Sequence, residues 1–285
     1  MFVIFHQPNF IKFYFFSFSI NSSSLIFNFH QVLLIKNFSD KKRFPLHFAV
    51  LKNNLDIVKA LIDAHAEVNK QDWDNYSPLH FCGQTGFVEG AQILLTYGAA
   101  INIQSRKKET PIMIAVQYDQ FNMVKFLIET HADVQKTAIG IFKKKFFFIM
   151  FFNLLYFNRS PLFYANIGSI AGILIDSGAA IEHKDDDGMT ALHSSAERGK
   201  VEVCKVLIEK GAQVNALDID NNREEVVKLL LESGAQIKVL DISRQSPEAI
   251  AKAKKLYDIL EIISSFRQKT EEAYQELQKE QAKKA

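Results

Sequence analysis

Pro45-Leu46-His47 and Pro78-Leu79-His80 stand 33 residues apart, and Pro111-Ile112-Met113 follows after another 33. A short motif recurring at a fixed period of this size marks one supersecondary unit stacked several times, each copy too small to bury its own apolar face. Neighbouring units complete the core. Function is therefore expected in the surface that the stack presents rather than in an enclosed site.

Each unit has the same internal order. From Asp40, unit one reads Pro45-Leu46-His47-Phe48-Ala49, then an apolar segment with Ile57, Val58, Leu61 and Ile62, then His65-Ala66-Glu67-Val68-Asn69. The apolar pairs recur at helical spacing and form one stripe, while Asp56, Lys59 and Asp63 point elsewhere. Unit two repeats this as Ser77-Pro78-Leu79-His80-Phe81-Cys82, Ile93-Leu94-Leu95 and Gly98-Ala99-Ala100-Ile101-Asn102. Proline suits the opening of a helix, and Ser77, Thr110 and Ser160 stand where they are expected to cap it. The first helices are predicted to end at Asn53, Gly86, Asp119 and Gly199, residue types that tolerate a left-handed backbone. The second helices are predicted to end at Gly98, Gly178, Gly211 and Gly234, with His65 and His131 in that position in units one and three.

These linked positions resemble the ankyrin repeat. The resemblance implies an all-α solenoid of helix-turn-helix units joined by hairpin-like turns. It also assigns His47, His80 and His193 hydrogen bonds that brace adjacent turns. Along the chain, residues 1–38 are a Phe-rich N-terminal segment and residues 39–136 hold units one to three. Residues 137–159 are a Phe/Lys-rich insert, residues 160–263 hold units four to six and a cap, and residues 264–285 form a charged tail expected to be helical.

The period breaks in three places. Between Ala132 and Pro161 the chain is 17 residues longer than between Ala99 and Pro111. Unit four, from Pro161 to Gly178, is three residues short between its helices, which a tighter inter-helix turn is expected to absorb. Unit six spans only 23 residues from Gly211 to Gly234, so ten are missing, and they correspond to its entire first helix. Its contacts with unit five and the cap are expected to be weakened.

Ten of the 25 phenylalanines lie in residues 1–38 and seven in residues 137–160, and neither stretch contains an acid. Phe, Ile, Asn, Leu and Lys, which A/T-rich triplets encode, dominate both. The two segments read as disordered, or as non-coding sequence carried into the translated chain. Residues 146–157 contain one polar residue, Asn153, after Lys143-Lys144-Lys145. That run is too short to span a bilayer, which needs about 20 apolar residues. A span there would also put the two halves of the stack on opposite sides. In the N-terminal segment, polar residues interrupt the apolar run, so membrane attachment is not expected, although this segment is the part that would supply it.

The repeat regions, residues 39–136 and 161–263, carry 23 basic against 28 acidic residues, which leaves no broad footprint for nucleic acid. Cys82 and Cys204 have no CxxC spacing and read as buried free thiols of an intracellular protein. There is no Gly-rich phosphate loop, no HExxH and no paired Cys/His spacing, so neither catalysis, cofactor nor metal is expected. Asp185-Asp186-Asp187 coincides with the turn of unit five and reads as a solvated turn.

The resemblance implies a partner-binding concave face made of turn tips and first helices. Its candidates are Trp73, Asp74, Asn75 and Tyr76 at the tip of unit two and Arg106, Lys107 and Lys108, with Glu109, at the tip of unit three. Phe81, with Ile114, Tyr164 and Ser194, follows the motif histidine position, and Gln84, Gln117, Tyr118, Glu197 and Arg198 stand near first-helix ends, where they are expected to line the groove. Trp, Tyr and Arg are the residues that most often anchor interfaces. The function expected is a non-enzymatic protein-protein interaction scaffold or adaptor, monomeric and cytoplasmic or also nuclear. Its protein partner would offer apolar anchors and some acidic character. The alternatives are a membrane-tethered ankyrin protein and a regulatory subunit of a larger enzyme or proteasome-like assembly.

Overall fold

The computed structural model describes residues 42–138, 158–214, 224–235 and 246–284. Among these residues the secondary structure is helical throughout, with no strand beyond one isolated bridge. Units one to three supply α1 (Pro45–Leu51) and α2 (Leu55–Asp63), α3 (Pro78–Thr85) and α4 (Val88–Thr96), then α5 (Pro111–Gln117) and α6 (Phe121–Glu129). Unit four supplies a 3₁₀ turn (Pro161–Tyr164) and α7 (Gly168–Asp176), and unit five α8 (Ala191–Glu197) and α9 (Val201–Glu209). Beyond them come α10 (Glu224–Glu232), α11 (Pro247–Ala253) and α12 (Tyr257–Lys284).

The helix ends fall where the residue types predict. Asn53, Gly86, Asp119 and Gly199 close the first helices at φ of 50°, 74°, 57° and 69°. Gly98, Gly178, Gly211 and Gly234 close second helices at 83° to 94°, and His65 and His131 take the same role at 61° and 67°. A left-handed residue reverses the chain after two turns of helix, so each unit stays short enough to stack. First helices pack on first helices and second on second, and one continuous apolar core runs from Leu46 to Ala235. α10 faces two ways. Val226 and Leu230 join that core, while Val227 and Leu231 join a small separate cluster with Ala251, Ile259 and Ile263. α12 continues without a break from this cluster through the charged tail as one 28-residue helix.

Unit four does not absorb its three-residue deficit in the turn. The first helix itself is reduced to the four-residue 3₁₀ turn, and Ala165 then runs extended into α7. The carbonyls of this turn find a donor in the next unit. Arg198 Nη2 donates to Phe163 O at 2.6 Å and Ala165 O at 3.1 Å, and Nη1 donates to Asn166 Oδ1 at 2.8 Å and Tyr164 O at 3.4 Å. Its Nε donates to Ser194 O at 3.1 Å, which fixes the guanidinium to the end of α8. Beside it α7 and α9 approach closely, since a Cβ on Gly168 would sit 3.0 Å from Glu202 O.

The insert does not interrupt the stack. Ala138 N donates to Arg159 O at 2.9 Å and Arg159 N to Ala138 O at 3.2 Å, so the chain leaves and returns through one antiparallel pair. α5 packs on the 3₁₀ turn and α6 on α7. Gln135 Nε2 donates to Gly178 O, and Ala180 N to Gln135 Oε1 at 3.4 Å, tying unit three to unit four. The Phe-rich stretches of residues 1–38 and 139–157, and the deletion point expected in unit six, lie outside the described residues.

The helix caps expected of Ser77, Thr110 and Ser160 differ in all three units. Ser77 Oγ lies 2.9 Å from His80 Nδ1 and Thr190 Oγ1 2.8 Å from His193 Nδ1, so these hydroxyls serve the motif histidine. In units three and four Met113 and Phe163 replace that histidine, and the buried hydroxyls of Thr110 and Ser160 have no hydrogen-bond partner among the described residues. Among the described residues no helix is long and apolar enough to cross a membrane.

Candidate partner-binding face

The turn tips are built alike. Asp72 N donates to Tyr76 O, Ser105 N to Glu109 O and Asp185 N to Met189 O, each at 2.9 Å, closing three hairpin-like turns. The side chain of the opening residue organises each turn from within. Asp72 Oδ1 accepts from Asp74 N and Tyr76 N, Ser105 Oγ from Lys107 N and Glu109 N, and Asp185 Oδ1 from Asp187 N and Met189 N. Asn75, Lys108 and Gly188 take the left-handed position at 60°, 60° and 78°. Asp185 thus belongs to the turn. Its other oxygen accepts from Arg159 Nε at 2.8 Å, as Asp72 Oδ2 does from Arg43 Nε at 3.5 Å.

Adjacent tips are joined into a rim. Arg106 N donates to Asp74 O at 2.8 Å, and Gln71 Nε2 donates to Asn75 O at 2.7 Å and Gln104 O at 2.9 Å. Below the rim the histidines brace turn to turn. Phe44 N donates to His47 Nδ1 at 2.9 Å and Ser77 N to His80 Nδ1 at 3.0 Å. The far nitrogens, Nε2, donate to Lys70 O and Glu109 O, both at 3.0 Å. Burial lowers the pKa of both rings, that of His80 to about 4, so they stay neutral with the proton on Nε2.

The sequence candidates divide by where these contacts leave them. Trp73 is 52% exposed on the rim, with Lys42 Nζ 5.2 Å from its ring centroid. Asn75, Arg106, Lys107, Lys108 and Tyr118 are exposed, and Asp74 and Gln84 are half-buried. Tyr76 is turned inward. Its hydroxyl donates to Glu109 Oε2 at 2.5 Å, and burial together with that carboxylate pushes the phenol pKa up. Phe81 is only 3% exposed, because its ring packs edge-on to His47 of the preceding unit under the Arg43 guanidinium, 4.7 Å away. Ile114 and Ser194, at the same position, are likewise buried.

Sequence reasoning passed over Lys42 and Arg43, and it placed Glu109 at an open turn tip, whereas its carboxylate is buried and Gln117 Nε2 also reaches it at 3.2 Å. The shared spacing of Arg43-Phe44-Pro45 and Arg159-Ser160-Pro161 was the available signal for the arginines. Cys82 and Cys204 are buried free thiols whose pKa burial raises. Among the described residues no group of three or more His, Cys, Asp or Glu side chains is placed to hold a metal ion. The arrangement offers a preorganised surface.

Comparison with known proteins agrees with this architecture. A family model of ankyrin repeats in three copies matches residues 24–105, 46–138 and 145–218. Ankyrin repeat protein nuc-2 of Neurospora crassa is 28% identical over 181 residues, 62% of this chain and 15% of its own length. Poly [ADP-ribose] polymerase tankyrase of Caenorhabditis elegans is 23% identical over 190 residues, 64% of this chain and 8% of its own length. The chain therefore spans only a small part of these relatives. Among solved structures, the human ASB11 ankyrin repeat domain superposes with a TM-score of 0.62 at 26% identity, covering 77% of this chain and 98% of that one.

Proposed function

The chain belongs to the ankyrin repeat family, and on that premise we propose that it is a non-enzymatic interaction module whose partner docks on the turn tips of units two and three. Ankyrin repeats are generally protein-interaction modules. The observation that carries the reading is Trp73. A large aromatic ring half-exposed on a hydrogen-bonded rim is ready-made contact area that costs little ordering on binding. Two buried free thiols suit a reducing compartment, in keeping with a cytoplasmic or nuclear site of action. The test is affinity capture from a lysate of the source cells with the full chain and with Trp73→Ala. Loss of specific partners from the variant is expected, and unchanged recovery of every partner would remove the proposal.

A further inference from the structure

We infer that the rim of units one to three reads a short acidic protein segment, with an apolar residue of that segment laid on Trp73. This rests on the interaction-module reading and gives its partner a chemistry. Trp73 has one cation over its ring, and the basic tip of unit three is tied to the residue that follows it. Lys42 sits over its ring at 5.2 Å, and Arg106 is hydrogen-bonded through its backbone to Asp74, the residue after the tryptophan. Arg106, Lys107 and Lys108 are all exposed, and none is held in an ion pair among the described residues. Lys108 holds a left-handed φ of 60°, which fixes how the basic tip is presented.

The surroundings confine this charge to one patch. The repeat regions as a whole carry 23 basic against 28 acidic residues, and at the equivalent tip of unit five Asp186 and Asp187 are exposed instead. A long polyanion would leave the patch and meet a surface of its own sign, so a nucleic acid strand is disfavoured. A segment of a few residues, acidic on either side of one apolar side chain, matches both the ring and its flanks.

The probe is a labelled peptide with Glu-Glu-Leu-Glu-Glu at its centre. Its controls are Gln-Gln-Leu-Gln-Gln and Lys-Lys-Leu-Lys-Lys versions and a single-stranded oligothymidylate. Binding is followed by label anisotropy and by the fluorescence of Trp73, the only tryptophan in the chain. The acidic peptide should bind about tenfold tighter than the Gln peptide, as two or three partly screened charge pairs imply, and weaken as salt rises. The combined variant Arg106→Glu, Lys107→Glu, Lys108→Glu should reverse the preference toward the Lys peptide, with the fold checked by circular dichroism. Equal binding of the three peptides, binding of none, or tighter binding of the oligothymidylate overturns the inference. Those outcomes leave the capture experiment with Trp73→Ala to judge the interaction-module reading separately.

Discussion

Replacing Arg198 with Met tests how a shortened repeat is kept in the stack. Its guanidinium reaches the carbonyls of Phe163, Tyr164 and Ala165, which a full first helix would have employed otherwise. Ser194 Oγ also donates to Phe163 O at 3.3 Å, so the net loss counts two carbonyls rather than three. At ~1–1.5 kcal/mol for each buried carbonyl left without a donor, the variant should lose about 2–3 kcal/mol. That is a large share of a typical domain's stability of roughly 5–15 kcal/mol. Because coupling in a solenoid runs between neighbours, the loss should fall on unit five and beyond. Urea unfolding followed by Trp73 fluorescence reports on unit two, whereas far-UV circular dichroism reports on every helix. The circular dichroism transition should broaden or split toward lower urea while the Trp73 transition moves little. Arg198→Lys should recover only part of the loss, since one ammonium cannot span the same acceptors. A shift below ~0.5 kcal/mol, the size of an ordinary surface substitution, refutes the reasoning, as would an equal shift of both probes.

Two further perturbations address the stack and its histidines. Joining Ala138 to Arg159 through Asn-Gly in place of residues 139–158 should leave helix content intact and stability within ~0.5 kcal/mol, since the flanking bridge suits a two-residue hairpin; loss of cooperative unfolding would contradict this. Burial lowers the pKa of His80 from 6.5 to about 4, so the unfolded chain binds this proton first as pH falls, and the stability present above pH 6.5 is lost toward pH 4. About 3 kcal/mol is at stake, measured by urea titration across that window, and His80→Asn should flatten the slope.

Much of this fold was legible because its turns are dictated by local stereochemistry. A left-handed residue is recognisable by type, and even His65 and His131 could be placed at helix ends. The fate of the deficit in unit four was not legible. A seven-residue helix contains so few internal hydrogen bonds that removing three residues costs less in the helix than in the junction, and a distant arginine can take over its carbonyls. The orphaned hydroxyls of Thr110 and Ser160 follow from the same non-local logic, since their usual partner is a side chain that these two units lack. Within the candidate face, Trp73 could be read as a solitary aromatic in a turn. Phe81 could not be placed, because on a helix of two turns the residue facing the preceding unit has no periodicity to separate it from one facing solvent.

The antiparallel pair of Ala138 and Arg159 has a consequence for how such a chain changes over generations. Once the two ends of a loop are fixed together by the body around them, doubling the loop costs only about 0.6 kcal/mol in closure entropy. The helices on either side bear on one another. Selection for a stable array therefore has almost no grip on the length or content of that passage. The doorway is a place where new sequence, useful or accidental, can enter a repeat protein and persist without being edited out by the demands of folding.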